Sequence, residues 1–278
     1  MPEGDTIHRA AQILHRALAG RQITGFESAY PALTRVDEDH PLRGRTIESV
    51  ASRGKHLLMT FSGDLVLHTH MRMNGSWHIY RVGERWRRSR ADMRVVVSTD
   101  VYVAVGFNIP VAELLSKRQM ERHEAFRSLG PDLAAGAFDG VEAVRRLRQH
   151  PRAAIADALL DQRALAGIGN VLKSEILFVA RVYPFEPVGR LTDDDLERIT
   201  TTARALMAAN TRQPAQAARA AAGRRTTRSL DPSAKLWVYG RAGKPCRRCG
   251  ASIQSSKTGI AARATYWCPR CQATEATR

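Results

Sequence analysis

Apolar residues at Ile7, Ala10, Ala11, Leu14, Ala17 and Leu18 recur at helical spacing, which predicts an amphipathic helix capped by Asp5 or Thr6 and closed by Gly20. From Arg21 to about Leu115 the period shortens. Leu65-Val66-Leu67, Trp77-His78-Ile79-Tyr80, Arg94-Val95-Val96-Val97 and Val101-Tyr102-Val103-Ala104-Val105 are β-type runs broken by Gly, Asn and Asp, the pattern of a sandwich or barrel. The turn Ser128-Leu129-Gly130-Pro131-Asp132 ends this half. Helical periods then return, most clearly over Ala153 to Leu160, Val171 to Val179 and Asp193 to Met207. Thr211 to Ser229, rich in Arg, Ala and Thr with few large apolar residues, reads as a mobile loop or linker.

Composition narrows the class. The chain has 278 residues, 44% of them hydrophobic, without a run long enough to span a bilayer or an export signal at its start. The expectation is a cytoplasmic protein in a reducing compartment, whose four cysteines are not disulfides. Lys plus Arg number 43 against 27 Asp plus Glu, a net charge of +16, the electrostatic footprint of a nucleic-acid binder. Only six of these cations are lysines, which singles out Lys55.

Three stretches carry chemistry. Cys246-x-x-Cys249 and Cys268-x-x-Cys271 are two knuckles separated by 18 residues, the donor set of a closed tetrahedral zinc site rather than four unrelated thiols. Between them Ala261 to Trp267 alternates as a hairpin strand does, placing Arg263 at a tip where it reads as a phosphate contact. Asp161 to Asn170 is a glycine-bearing turn running into a helix, either a phosphate site or an ordinary helical hairpin. At the start, Met1-Pro2-Glu3-Gly4 puts Pro second. Removal of Met1 leaves a secondary amine that titrates near pH 8 and can attack an electrophilic carbon, with the Glu3 carboxyl beside it. Taken alone, the tetrapeptide reads more simply as a turn ahead of a helix.

Met1-Pro2-Glu3-Gly4, Ser52-Arg53-Gly54-Lys55-His56-Leu57, Leu165-Ala166-Gly167-Ile168-Gly169-Asn170, Val238-Tyr239-Gly240-Arg241 and the paired Cys-x-x-Cys follow one another as in the formamidopyrimidine-DNA glycosylase and endonuclease VIII family, which the whole chain resembles. The resemblance implies an α+β fold: an N-terminal β-sandwich with a catalytic helix (1–132), a helix-two-turn-helix domain (133–232) and a zinc finger holding one structural Zn²⁺ (233–278), with damaged DNA between the halves. It implies a bifunctional DNA glycosylase and abasic-site lyase, monomeric, in which Pro2 attacks C1′, Glu3 protonates the sugar and Lys55 serves strand cleavage. Arg263 joins this catalytic set and, with Asn170 and Lys55, grips phosphates. Arg72, Met73 and Asn74 match a loop that fills the space of a flipped base. Two departures matter. Many members continue Pro-Glu where Asp5-Thr6 stand here, and the Arg-Arg-Phe-Gly wedge of the formamidopyrimidine branch is replaced by Val105 to Pro110. The second points to endonuclease VIII and oxidised pyrimidines, read through a pocket built partly by Thr211 to Ser229. The alternatives are an oxidised-purine glycosylase of the same family and a non-catalytic zinc-finger DNA-binding protein.

Overall fold

The structure, a computed structural model, describes residues 2–211, 223–229, 231–258 and 262–273. It divides into two compact units, residues 1–127 and 128–278.

In the first unit, helix α1 (Gly4–Leu18) is followed by β1 (Gly25–Ser28), α2 (Pro31–Asp39), β2 (Ile47–Arg53), β3 (His56–Phe61), β4 (Leu65–His70), β5 (Ser76–Arg81), β6 (Met93–Ser98), β7 (Tyr102–Phe107), β8 (Val111–Ser116) and the short helices α3 (Lys117–Arg122) and α4 (Glu124–Arg127). The strands form two four-stranded antiparallel sheets, ordered β1-β6-β7-β5 and β2-β3-β4-β8. The two-residue strand period decides the layering: Val95 and Val97 enter the core shared by both sheets and α1, whereas Val96 packs on the opposite face with Tyr80, Met93, Val105 and Phe107. The apolar stripe of α1 is as the spacing predicts, with Ile7, Ala11, Leu14 and Leu18 buried. Its start is not. The helix begins at Gly4 with extended Glu3 at the N-cap, and Asp5 lies inside the first turn, where a carboxylate complements the helix dipole.

The second unit contains α5 (Gly140–Arg148), α6 (Ile155–Ala158), α7 (Asn170–Ala180), α8 (Asp193–Thr211) and a hairpin of β9 (Gln254–Thr258) and β10 (Arg263–Trp267). The expected helix over Ala153 to Leu160 shrinks to α6, because Ala154 is held extended by its bridge to Pro187. Residues 212–222 of the expected mobile loop lie outside the described residues. From Gly223 to Ser229 the chain is tied down instead: Thr226 and Thr227 are buried, and Asn210 exchanges side-chain hydrogen bonds with the Arg225 backbone.

Candidate active site

One end of the first unit gathers the predicted chemistry. Helix α1 runs along β2, since the His15 ring accepts from the Val50 N–H at 3.1 Å and His8 Nδ1 lies 2.9 Å from Ser52 Oγ. The N-terminal end of α1, with Pro2 half-buried and Glu3 only 1% exposed, therefore points toward the β2–β3 turn. That turn is Gly54-Lys55, closed by the Arg53↔His56 pair, with Gly54 at φ +58°. Its neighbour across the sheet is His70, the partner of His56. The chain then leaves β4 through Arg72, Met73 and Asn74, all exposed. Met73 is 51% exposed and is no core residue. These side chains border an open groove of about 660 Å³ with Tyr30, Arg94 and Asn108. Phe107 is fully buried, so no aromatic wedge projects from Val105 to Pro110.

The local field is positive. Burial, and then the neighbouring Lys55, His68 and Arg72, push the His70 pKa down to about 4; burial, with the neighbouring histidines and Arg53, pushes His56 down to about 3. Both rings are neutral in the folded chain at pH 7 and gain protons on unfolding below about pH 6.5. The unfolded state thus binds more protons, and stability falls as pH drops from about 6.5 toward 4. Urea titrations are expected to show a loss on the order of 2 kcal/mol between pH 7 and pH 5, allowing for solvent screening at partly exposed rings. The loss should be smaller in His56→Gln; equal stability at both pH values would contradict the burial argument.

The second unit assembles the other predicted residues. Asn170 opens α7 and is 7% exposed, and its Oδ1 has no hydrogen-bond partner among the described residues. Ahead of it, Gln162 shapes the turn by accepting from the Gly167 N–H and donating to the Leu160 and Ile168 carbonyls. Gly167, at φ +104°, is required there. Arg263 is exposed at the start of β10, paired with Thr258. Residues not singled out from sequence fix Arg263 relative to Asn170. Fully buried Lys173 donates from Nζ to Thr265 Oγ1 at 2.8 Å, and the Tyr266 N–H donates to Ser174 Oγ at 3.3 Å. Fully buried Glu175 accepts from the N–H groups of Trp237, Val238 and Tyr239 at 2.8–2.9 Å and from the Thr226 hydroxyl. Two charges inside the apolar run Val171 to Phe178 were the available signal.

The four cysteine sulfurs lie within 4.8 Å of one another, with Cys246–Cys271 at 3.9 Å and Cys249–Cys268 at 3.4 Å. A tetrahedron with Zn–S bonds of about 2.3 Å needs edges of about 3.8 Å. Burial raises the pKa values of Cys268 and Cys271, while the Ala251 N–H lowers Cys249 to about 7. Crowded thiols of this kind ionise together only around a cation. Gln272, fully buried, accepts from the Cys268 N–H and donates to the Val182 carbonyl, anchoring the second knuckle.

Three successive stretches of the chain match known domains. Residues 1–108 match the formamidopyrimidine-DNA glycosylase N-terminal domain, 129–220 the H2TH domain of that glycosylase, and 243–274 the zinc finger found in FPG and IleRS. A Streptomyces coelicolor protein named "Probable endonuclease 8 2" is 45% identical over 100% of this chain and 96% of its own. The chain belongs to the formamidopyrimidine-DNA glycosylase and endonuclease VIII family. Another relative, the DNA-(apurinic or apyrimidinic site) lyase Nei2 of Mycolicibacterium smegmatis, is 38% identical over 98% of this chain and 99% of its own. Among solved structures, Lactococcus lactis formamidopyrimidine-DNA glycosylase bound to DNA containing an abasic site superposes with a TM-score of 0.80, covering 98% of this chain and 100% of that one. At 22% identity this likeness concerns the fold: N-terminal sheets, helix-two-turn-helix and zinc finger. In this member, Cys246, Cys249, Cys268 and Cys271 are the set for one structural zinc. No helix among the described residues is long and apolar enough to cross a membrane.

Proposed function

We propose that the chain is a bifunctional DNA glycosylase and abasic-site lyase of base excision repair that removes oxidised pyrimidines. What supports this reading is the His8–Ser52 contact, which lays the first turns of α1 along β2 ahead of the Lys55 turn, in a chain 45% identical to an endonuclease 8 relative. The Pro2 nitrogen forms a bond to C1′ of the damaged nucleotide. Glu3 gives a proton to the sugar ring oxygen as the C1′–O bond breaks and the ring opens; the nitrogen then loses its remaining proton, and its electron pair forms the iminium as the C1′–base bond breaks, the base leaving with that bond's electrons and taking up a proton. The resulting iminium acidifies the C2′ protons; loss of one, with Lys55 assisting, expels the 3′ phosphate by β-elimination, and δ-elimination then releases the 5′ phosphate.

Binding is divided between parts of the chain. Residues 1–132 carry the chemistry, 133–232 grip phosphate through Asn170, and 233–278 present Arg263 on the zinc-stapled hairpin. Arg72, Met73 and Asn74 occupy the space of the extruded nucleotide. The preference for pyrimidines is supported by the buried Phe107, which leaves no wedge of the formamidopyrimidine type, and by relatives named endonuclease 8. The enzyme acts as a cytoplasmic monomer. Duplexes carrying thymine glycol, dihydrouracil or an oxidised purine, incubated with the protein and borohydride, test the assignment. Faster trapping on the pyrimidine lesions is expected; preference for the purine would overturn the substrate class, and no trapping on any would overturn the activity.

Arg263→Ala is expected to retain zinc and fold but to weaken duplex affinity by about 1.5–3 kcal/mol, the worth of a charge-assisted hydrogen bond. The slope of log K against log salt should flatten by up to about one unit. A binding series across salt concentrations measures both, and an unchanged slope would remove Arg263 from the phosphate contacts.

A further inference from the structure

Behind the exposed loop of Arg72, Met73 and Asn74 lies a line of polar side chains that the proposed reaction does not use. It begins at Glu113 on β8, whose Oε2 lies 2.8 Å from His68 Nδ1 and 3.4 Å from His123 Nε2. An ionised carboxylate only accepts, so His68 donates from Nδ1. His68 is 2% exposed and its pKa is lowered by burial, against the pull of Glu113. A neutral ring donating from Nδ1 presents Nε2 as an acceptor, and His56 Nδ1 stands 2.8 Å away as its donor. His56 in turn packs against its cross-strand partner His70 with ring centroids 4.9 Å apart at 73°. His70 Nδ1 accepts the Arg72 backbone N–H at 3.1 Å, which places the His70 proton on Nε2. One acceptor-only carboxylate at one end and one backbone donor at the other thus assign every tautomer along the line.

The loop at the far end needs holding. Arg72 sits at φ +45°, a region rarely adopted by residues with a Cβ. The next constraint is the Gly75 N–H to Met71 carbonyl bond at 2.9 Å, at a position where a Cβ would meet that carbonyl oxygen at 2.6 Å. Phe126, 1% exposed, lies about 5 Å from both the His56 and His68 rings, so the hydrogen bond between them is made against an apolar side chain, where leaving it unmade is costly. Arg53, Lys55, Arg72 and His123 surround it and oppose protonation of the rings.

We propose that Glu113, His68, His56 and His70 form a positioning relay that fixes the loop carrying Arg72, Met73 and Asn74 in the conformation needed for base excision. The proposal rests on the reading that this loop fills the space of the extruded nucleotide. In this proposal the four act through the loop.

Amide hydrogen exchange on the free, zinc-loaded full chain tests the positioning without relying on that reading. His68→Leu is expected to speed exchange of the Arg72 amide at least about tenfold at pH 7, while amides inside β3 and β4 keep their protection. Glu113→Gln, which retains an acceptor oxygen, should largely preserve protection, whereas Glu113→Leu should not. In single-turnover assays His68→Leu should lower the base-excision rate about tenfold with the duplex dissociation constant changed less than twofold. Unchanged Arg72 exchange in folded His68→Leu would overturn the relay. Faster exchange with normal excision would overturn its role in the reaction. If His68→Leu does not fold, Glu113→Leu, whose side chain is 42% exposed, takes its place, and unchanged Arg72 exchange there would equally overturn the relay. A wild-type chain with no excision activity would refute the proposed function and leave the exchange result to decide on the relay.

Discussion

Glu3→Gln is expected to lose excision of an oxidised base by about 10²–10⁴-fold, the usual worth of a positioned proton donor, while cleaving a ready-made abasic site at a rate within about tenfold of wild type. The asymmetry follows from the role assigned to the carboxyl: only expulsion of a base needs a proton delivered to the sugar as the ring opens. Glu3 is 1% exposed at the extended N-cap of α1. The amide keeps the size of the side chain and removes the proton. Single-turnover rates on paired lesion and abasic oligonucleotides measure the ratio. Equal losses on both substrates would assign Glu3 to a step common to both reactions.

The second large effect concerns the metal. Cys246→Ser or Cys268→Ser should release zinc and collapse the β9–β10 hairpin, because five-residue strands do not hold together alone and metal binding contributes on the order of 10 kcal/mol to folding in isolated fingers. Cys246, Cys268, Ile253, Val238 and Phe178 share one small core. Loss of a ligand should therefore loosen the packing against α7 and abolish measurable duplex binding, unlike Arg263→Ala. Atomic absorption and a binding titration on the same samples test this. Full affinity in a zinc-free variant would show that the hairpin folds without its metal.

The parts of the candidate site legible in the sequence are those written in local spacing. Two Cys-x-x-Cys pairs, a proline at position 2 and a glycine turn before Asn170 each carry their chemistry within a few residues. The stripe of α1 was legible for the same reason, since four buried positions repeat at one helical period. Strands β2 and β3 were harder. Their residues alternate only in part, and Lys55 takes its place from the Arg53↔His56 pairing, a matter of register. The buried charges of α7 were illegible as partners, because Lys173 meets Thr265 and Glu175 meets Trp237 to Tyr239 only after the chain has folded back over 62 to 92 residues. Long-range hydrogen bonds leave no periodic trace. The relay from Glu113 to His70 draws on two neighbouring strands and β4 between them, and its order is set by the β3–β4 and β4–β8 registers.

The proposed mechanism rests on the amine of Pro2 as the attacking group. Its most direct measurement is borohydride trapping of the protein on an oligonucleotide with an abasic site, followed by proteolysis and mass spectrometric mapping of the adduct. The reduced cross-link is expected on the N-terminal peptide beginning at Pro2, and none when a tag precedes that residue. An adduct on a lysine peptide such as that of Lys55, or trapping at the normal rate by a protein with a blocked N-terminus, would contradict it.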